Sequence, residues 1–291
     1  MWCTRRLLIA WTVLLLIAPS FGETPTRPPT SNGVSDTPVA VCFAPGTPRE
    51  VMARVHAAIF PREFNGSRYF TGGSWSGIGE PTIITWSLVP DGLFISGDVG
   101  EPGSPSALFA RMDSLFGNRS LWINLIQFSL ERWAQLTGVQ YVRVTAPGVD
   151  WDDGAPWGSS GSAARGDVRI AMHNIDGDAG ILAYNFFPQN GDMVLDEGES
   201  WQDSLESFRF LRNVIMHEHG HGLGLGHVCT GISAQLMNPF LNLSFDGPQH
   251  DDIRGGQRQH GDPFEPDNTV TEATDLGVVE HGAPLDVGAV P

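Results

Sequence analysis

Basic residues are scarce in this chain. Seventeen Lys and Arg stand against 33 Asp and Glu, giving a net charge of −16. A nucleic-acid backbone is gripped by clustered cations, so this balance excludes nucleic acid as a partner; the acidic surplus suits calcium instead. Cysteine is rarer still, at three residues. Cys3 falls in the leader described next, which leaves Cys42 and Cys229 free or joined in a single bridge if the compartment is oxidising. Beyond residue 22 no stretch is long and apolar enough to span a bilayer.

What is present begins with a leader. Arg5 and Arg6 precede an apolar run over residues 7–17, and small residues surround a cleavage point at Ser20-Phe21-Gly22. Residues 1–22 therefore read as a secretory signal peptide, the run being short for an uncleaved anchor, and the expected product is secreted, extracellular and free of the membrane. Residues 23–64 open on a Pro/Thr/Ser-rich linker that cannot bury enough apolar surface to fold alone, followed by a short N-terminal segment. With 41% hydrophobic residues the rest is globular, and Gly 35 with Pro 21 implies many turns.

The chemistry concentrates in residues 216–227, which carry His217-Glu218, His221, Gly224 and His227 in the spacing H-E-x-x-H-x-x-G-x-x-H. On a helix His217 and His221 share a face and can grip one metal ion, with Glu218 beside them as a base. Gly224 can take the left-handed conformation that ends a helix and turns His227 back as a third ligand. Three imidazoles leave one tetrahedral position for a water, which becomes acidic near neutral pH. In a chain with nine histidines this coincidence would arise by chance on the order of 10⁻⁵ times. His219, two residues from either helical ligand, points elsewhere and is assigned to the surface or a supporting contact.

This motif is that of the metzincin zinc peptidases, whose methionine turn is met by Met237 in Leu236-Met237-Asn238-Pro239-Phe240. A proline two residues after the methionine resembles the matrixin branch, the relatives of matrix metalloproteinases. Nothing after Met237 supplies the tyrosine expected of the astacin and serralysin branches. The resemblance implies an α+β fold: a mixed twisted sheet, a long active-site helix and a Met-turn. It implies a catalytic domain over residues 65–262, with specific motifs confined to 176–261.

Read in order, residues 81–90 form the first strand, 121–136 an amphipathic helix stopped by Gly138, and 139–144 a strand. Val168, Ile170 and Met172 alternate with Arg169 and Ala171 as another strand, and residues 49–60 suit a short helix. By resemblance, Leu182-Ala183 belongs to an edge strand along which substrate lies, with Ala183 offering a carbonyl and Pro239 lining the outer wall. Asp176, Asp196 and Glu199 match calcium-binding carboxylates. Tyr184 and Val194 stand where the resemblance expects ligands of a second, structural zinc, so that ion is not expected. Asp203 or Ser204 would cap the active-site helix, whose inner face would carry Leu205, Phe208, Leu211 and Ile215. His250 and His260 are expected at the surface, and Cys42 lacks the Pro-Arg-Cys-Gly setting of a matrixin latch. Residues 263–291 form a tail or the start of a truncated β module of a kind appended to secreted bacterial peptidases, which points to a bacterial source.

The implied function is a secreted zinc-dependent endopeptidase acting on protein or peptide substrates. Catalytic zinc would sit on His217, His221 and His227, with Glu218 as general base, Met237 as a structural floor and calcium as a structural ion. The alternatives are another metzincin branch, or a catalytically silent zinc-containing module that binds protein through its groove. Oligomeric state and cleavage preference are not legible in the sequence.

Overall fold

The computed structural model describes residues 38–59, 74–159, 161–228, 234–265 and 271. The leader, the Pro/Thr-rich linker, Cys229 and most of the tail lie outside these residues. Along the chain run β1 (Val39–Phe43), α1 (Arg49–Ile59), β2 (Thr82–Leu88), β3 (Phe94–Ile95), β4 (Ser104–Pro105), α2 (Leu108–Phe116) and α3 (Arg119–Ala134). There follow β5 (Val139–Arg143), β6 (Val168–His173), β7 (Ile181–Phe186), β8 (Met193–Asp196), α4 (Arg209–Gly222) and α5 (His250–His260).

Six strands form one mixed sheet in the order β1-β7-β8-β6-β2-β5. The pairs β2–β5, β2–β6 and β6–β8 are parallel, whereas β7 runs antiparallel to both β8 and β1. The α+β architecture expected from the sequence is the one observed. One face of the sheet presents Trp86, Leu88, Ile170, Met172 and Leu195 to α2, α3 and α4. The other face packs Ala171, Tyr184 and Val194 against Val55 and Ile59 of α1. Helices on both faces explain why every residue of β6 is buried, although its sequence alternates.

Arg169 is the residue that alternation misplaces. Its side chain is fully buried: Nε and Nη2 donate to the two oxygens of Asp152 at 2.8 and 3.1 Å, and the guanidinium also reaches the carbonyls of Ala155 and Pro156. The pair fastens the loop over residues 152–156 to the sheet.

Helix α4 also begins differently from expectation. Neither Asp203 nor Ser204 caps it; Asp203 accepts only from the Leu205 amide, and Leu205 is exposed. Phe208 is the N-cap instead, in a left-handed conformation shared by Glu206 and Ser207. Arg212 holds this unfavourable turn, donating to the carbonyls of Glu206 and Ser207 and to both oxygens of Asp246 at 2.8 Å. A long-range ion pair therefore replaces a local cap. The Trp133 indole of α3 donates to the Met216 carbonyl at 2.9 Å, docking α4 across the core.

Replacing Arg169 by Met would leave the Asp152 carboxylate buried without its cation. A loss of about 3–5 kcal/mol is expected in denaturant unfolding; a loss below about 1 kcal/mol would show that the pair does not hold the loop.

Candidate metal centre

Residues Leu211 to Gly222 of α4 are all buried, so the helical part of the motif lies inside the protein, while His227 is half-buried. His217, Glu218 and His221 are completely inaccessible. At the end of the helix the Gly224 amide donates to His221 O and the Leu225 amide to Gly220 O, with Gly224 at φ +94. This paired closure is the glycine-dependent terminus expected from the sequence, and it turns His227 back towards the helix.

The three Nε2 atoms converge. His221 lies 3.1 Å from both His217 and His227, and His217 lies 3.3 Å from His227. Nitrogens held about 2.0–2.1 Å from one tetrahedral zinc are roughly 3.3 Å apart, so the set fits the ion. The far side of the rings supports this. Nδ1 of His217 lies 2.6 Å from Leu236 O, and Nδ1 of His221 lies 2.7 Å from Leu225 O. A carbonyl only accepts, so both Nδ1 atoms carry the proton and both Nε2 lone pairs face the centre. Burial pushes the His217 pKa down to about 4. His221 and His227 are held well below the usual histidine range by burial and by the neighbouring imidazoles. All three are neutral donors at physiological pH.

Glu218 is driven the other way, its pKa raised well above the carboxylate range by burial, with the Cys42 backbone N–H opposing that rise. Neither carboxylate oxygen makes a full hydrogen bond. Its carboxylate, an imidazole nitrogen of His217 and the Cys42 thiol lie within 4.8 Å of one another. Cys42 is a free, buried thiol, and Cys229 lies outside the described residues.

Beneath the centre sits Met237, buried in its turn. A Cβ on Gly220 would collide with the Met237 thioether and crowd Trp133, so glycine between the ligands makes room for the methionine. Asp252 of α5 anchors the turn by accepting the amides of Leu236 and Met237 at 2.8 and 3.1 Å. His219 is buried, 2.6 Å from the Tyr141 hydroxyl and away from the metal ligands. His260 corrects the surface expectation: it is fully buried and donates through Nε2 to Leu223 O at 3.0 Å, just past the end of α4. Sequence reading missed Tyr141, Asp252 and Arg212; only Gly220, a small residue inside the motif, carried a local signal.

The acidic residues are less gathered. Asp196 is buried, and its carboxylate accepts the amides of Ile175, Asp176, Gly177 and Gly198. Asp176 accepts the Ile181 amide and faces Arg54 of α1 at 3.9 Å. Glu199 has a buried oxygen with no partner, and its pKa is raised to about 7 by burial and then by Asp196. Among the described residues the groups close enough to hold an ion are the three histidines and Cys42–His217–Glu218; the three acids do not form a third.

Ala183 lies in β7, paired with Cys42 of β1, and the Pro239 carbonyl accepts the Phe43 amide. Both expected groove positions are thus engaged by the chain's own first strand.

Residues 118–261 match the sequence profile of the matrixin family. The hatching enzyme of Paracentrotus lividus is 32% identical over 126 residues, 38% of this chain and 21% of that protein. Human stromelysin-3 is 36% identical over 126 residues, 40% of this chain and 25% of that protein. Interstitial collagenase of Oryctolagus cuniculus is 32% identical over 157 residues, 52% of this chain and 31% of that protein. In each case this chain spans less than a third of the relative's own length.

Gly220→Ala tests the floor. The gain in helix propensity of about 1 kcal/mol offsets part of the crowding, so stability should change little while the displaced thioether lowers zinc affinity about tenfold. Unchanged zinc affinity in a competitive chelator titration would show that Met237 does not support the ligands.

Proposed function

We propose, from the premise that this chain is a matrixin-like metzincin over residues 118–261, that it is a zinc-dependent endopeptidase that hydrolyses peptide bonds of protein substrates. The observation that carries this reading is the convergence of three Nε2 atoms, two from fully buried histidines and one from the half-buried His227, beside a carboxylate with no full hydrogen bond. His217, His221 and His227 would hold zinc, which supplies Lewis acidity to water and to a substrate carbonyl. Glu218 takes the proton of the attacking water and returns it to the leaving amide nitrogen. Met237 holds the ligand helix from beneath and does not act on substrate.

The backbone of Ala183 and the Pro239 carbonyl would grip an extended substrate from its two sides. Bonds already made at both positions by β1 support this role. Secretion is part of the proposal, on the strength of the residue 1–22 leader; among the described residues no helix is long and apolar enough to cross a membrane.

Glu218→Ala should lower cleavage of an unfolded protein by about 10²–10⁴-fold with zinc still bound. Equal activity in parent and variant would remove Glu218 from the mechanism. No activity in the parent despite bound zinc would favour a silent binding module.

Calcium is the second ion of the proposal, supported by the unpartnered Glu199 oxygen beside Asp196 and Asp176. A cation there requires Glu199 ionised, and its raised pKa keeps the proton on below about pH 7. Calcium should therefore raise the melting temperature more at pH 8 than at pH 6. An equal or opposite dependence would exclude Glu199 as a ligand.

A further inference from the structure

His219 stands inside the histidine motif without joining the other three. Two residues from either helical ligand, it lies about 160° round the helix from each and leaves α4 by the opposite flank. It is fully buried there. Its Nε2 lies 2.6 Å from the hydroxyl of Tyr141, the middle residue of β5, and the two rings meet edge to face with centroids 5.1 Å apart. Burial holds the Tyr141 pKa well above the usual phenol range, so the hydroxyl keeps its proton and donates it to Nε2. The ring proton of His219 is then on Nδ1.

That second nitrogen is buried without a hydrogen-bond partner among the described residues, and so is Oδ1 of Asn185 in β7. Both side chains crowd Gly222: a Cβ there would stand 3.1 Å from the Asn185 amide nitrogen and 3.3 Å from His219 Nδ1. Glycine at that position gives the imidazole its room. Parting from Tyr141 would strand a second nitrogen of the same buried ring, so the ring is strongly held to the phenol.

The bond matters because of where it attaches. Nδ1 of His217 and of His221 bonds the carbonyls of Leu236 and Leu225, which lie beyond the helix and outside the sheet. Tyr141 instead ties the ligand-bearing turn of α4 to a strand. A histidine Nε2 stands about 6 Å from its helix axis, so turning the helix by about 10° carries that atom about 1 Å. Metal–ligand distances tolerate about 0.2 Å, which corresponds to about 2° of rotation. Such a turn moves His217 and His221 together and leaves His227, outside the helix, behind. We infer that Tyr141 is a positioning residue of the metal centre: through His219 it fixes the rotation of α4, and so the placement of His217 and His221 against His227. The inference rests on the zinc reading above.

The experiment uses the full chain with Tyr141→Phe, His219→Asn, His219→Gln and the double variant Tyr141→Phe/His219→Asn. A glutamine amide reaches the place of Nε2, whereas an asparagine amide reaches only that of Nδ1. Zinc affinity is read by competition with a chelator, ligand geometry from the visible absorption of the cobalt-loaded chain, and turnover on an unfolded protein. Tyr141→Phe and His219→Asn should each weaken zinc binding about tenfold and shift the cobalt bands, with kcat lowered and KM unchanged. The double variant should be no worse than either single one, and His219→Gln should restore the parent's affinity and spectrum. Unchanged affinity and spectrum in Tyr141→Phe, which removes one oxygen and leaves the packing in place, overturn the inference even if His219→Asn fails to fold. Losses that multiply in the double variant, or equal losses in His219→Asn and His219→Gln, overturn it as well. A parent that binds zinc yet cleaves nothing sinks the peptidase reading alone, because affinity and spectrum still decide the role of Tyr141. A parent that binds no zinc sinks both.

Discussion

Two neutral imidazoles, His217 and His221, aim their lone pairs at one point and cannot satisfy one another. At 3.1 Å the Nε2 atoms of His217 and His221 are acceptors facing acceptors, because Nδ1 of both helical ligands is committed to a carbonyl, and His227 Nε2 lies 3.1–3.3 Å from both. Burial makes protonation a costly escape, as the lowered pKa values of all three show. A cation resolves the conflict, and zinc suits both the donor type and the spacing. Much of the surrounding structure serves to keep these rings from turning away.

That service comes from every side of α4. Leu236 and Leu225 fix the ring tautomers through their carbonyls, and Asp252 holds the turn that presents the Leu236 carbonyl. Gly220 admits Met237 beneath the helix, Trp133 binds it from α3, and His260 bonds the Leu223 carbonyl at its exit. The matrixin-type segment over residues 118–261 contains all of these groups. Strand β1, which pairs with β7 and with the Met-turn exit and seats Cys42 in the same core cluster as α4, lies outside that segment.

The centre was legible in the sequence because its information is local. Histidine spacing, the glycine that ends α4, and a methionine ten residues beyond the last ligand each follow from helix geometry or a short motif. The helix at residues 49–60 and the strands near 81–90 and 139–144 were legible for the same reason, as apolar periodicity between turn signals. What failed depended on distant partners. Arg169 reads as an outward residue until Asp152 comes to meet it, His260 reads as surface until it reaches Leu223, and Phe208 begins α4 because Arg212 ties the preceding turn to Asp246. Nothing in residues 39–43 announces that they pair with β7, because strand partners are chosen by tertiary contact. The acids Asp176, Asp196 and Glu199 were recognised as types, yet four backbone amides already engage Asp196.

The central claim is a zinc centre of three imidazoles with one position left for water, and X-ray absorption at the zinc edge of the metal-loaded chain tests it most directly. Three imidazole nitrogens at about 2.0–2.1 Å with one oxygen, and loss of an imidazole shell in His227→Ala, are the predicted result. A sulfur shell near about 2.3 Å, or fewer than three imidazoles in the parent chain, would contradict it.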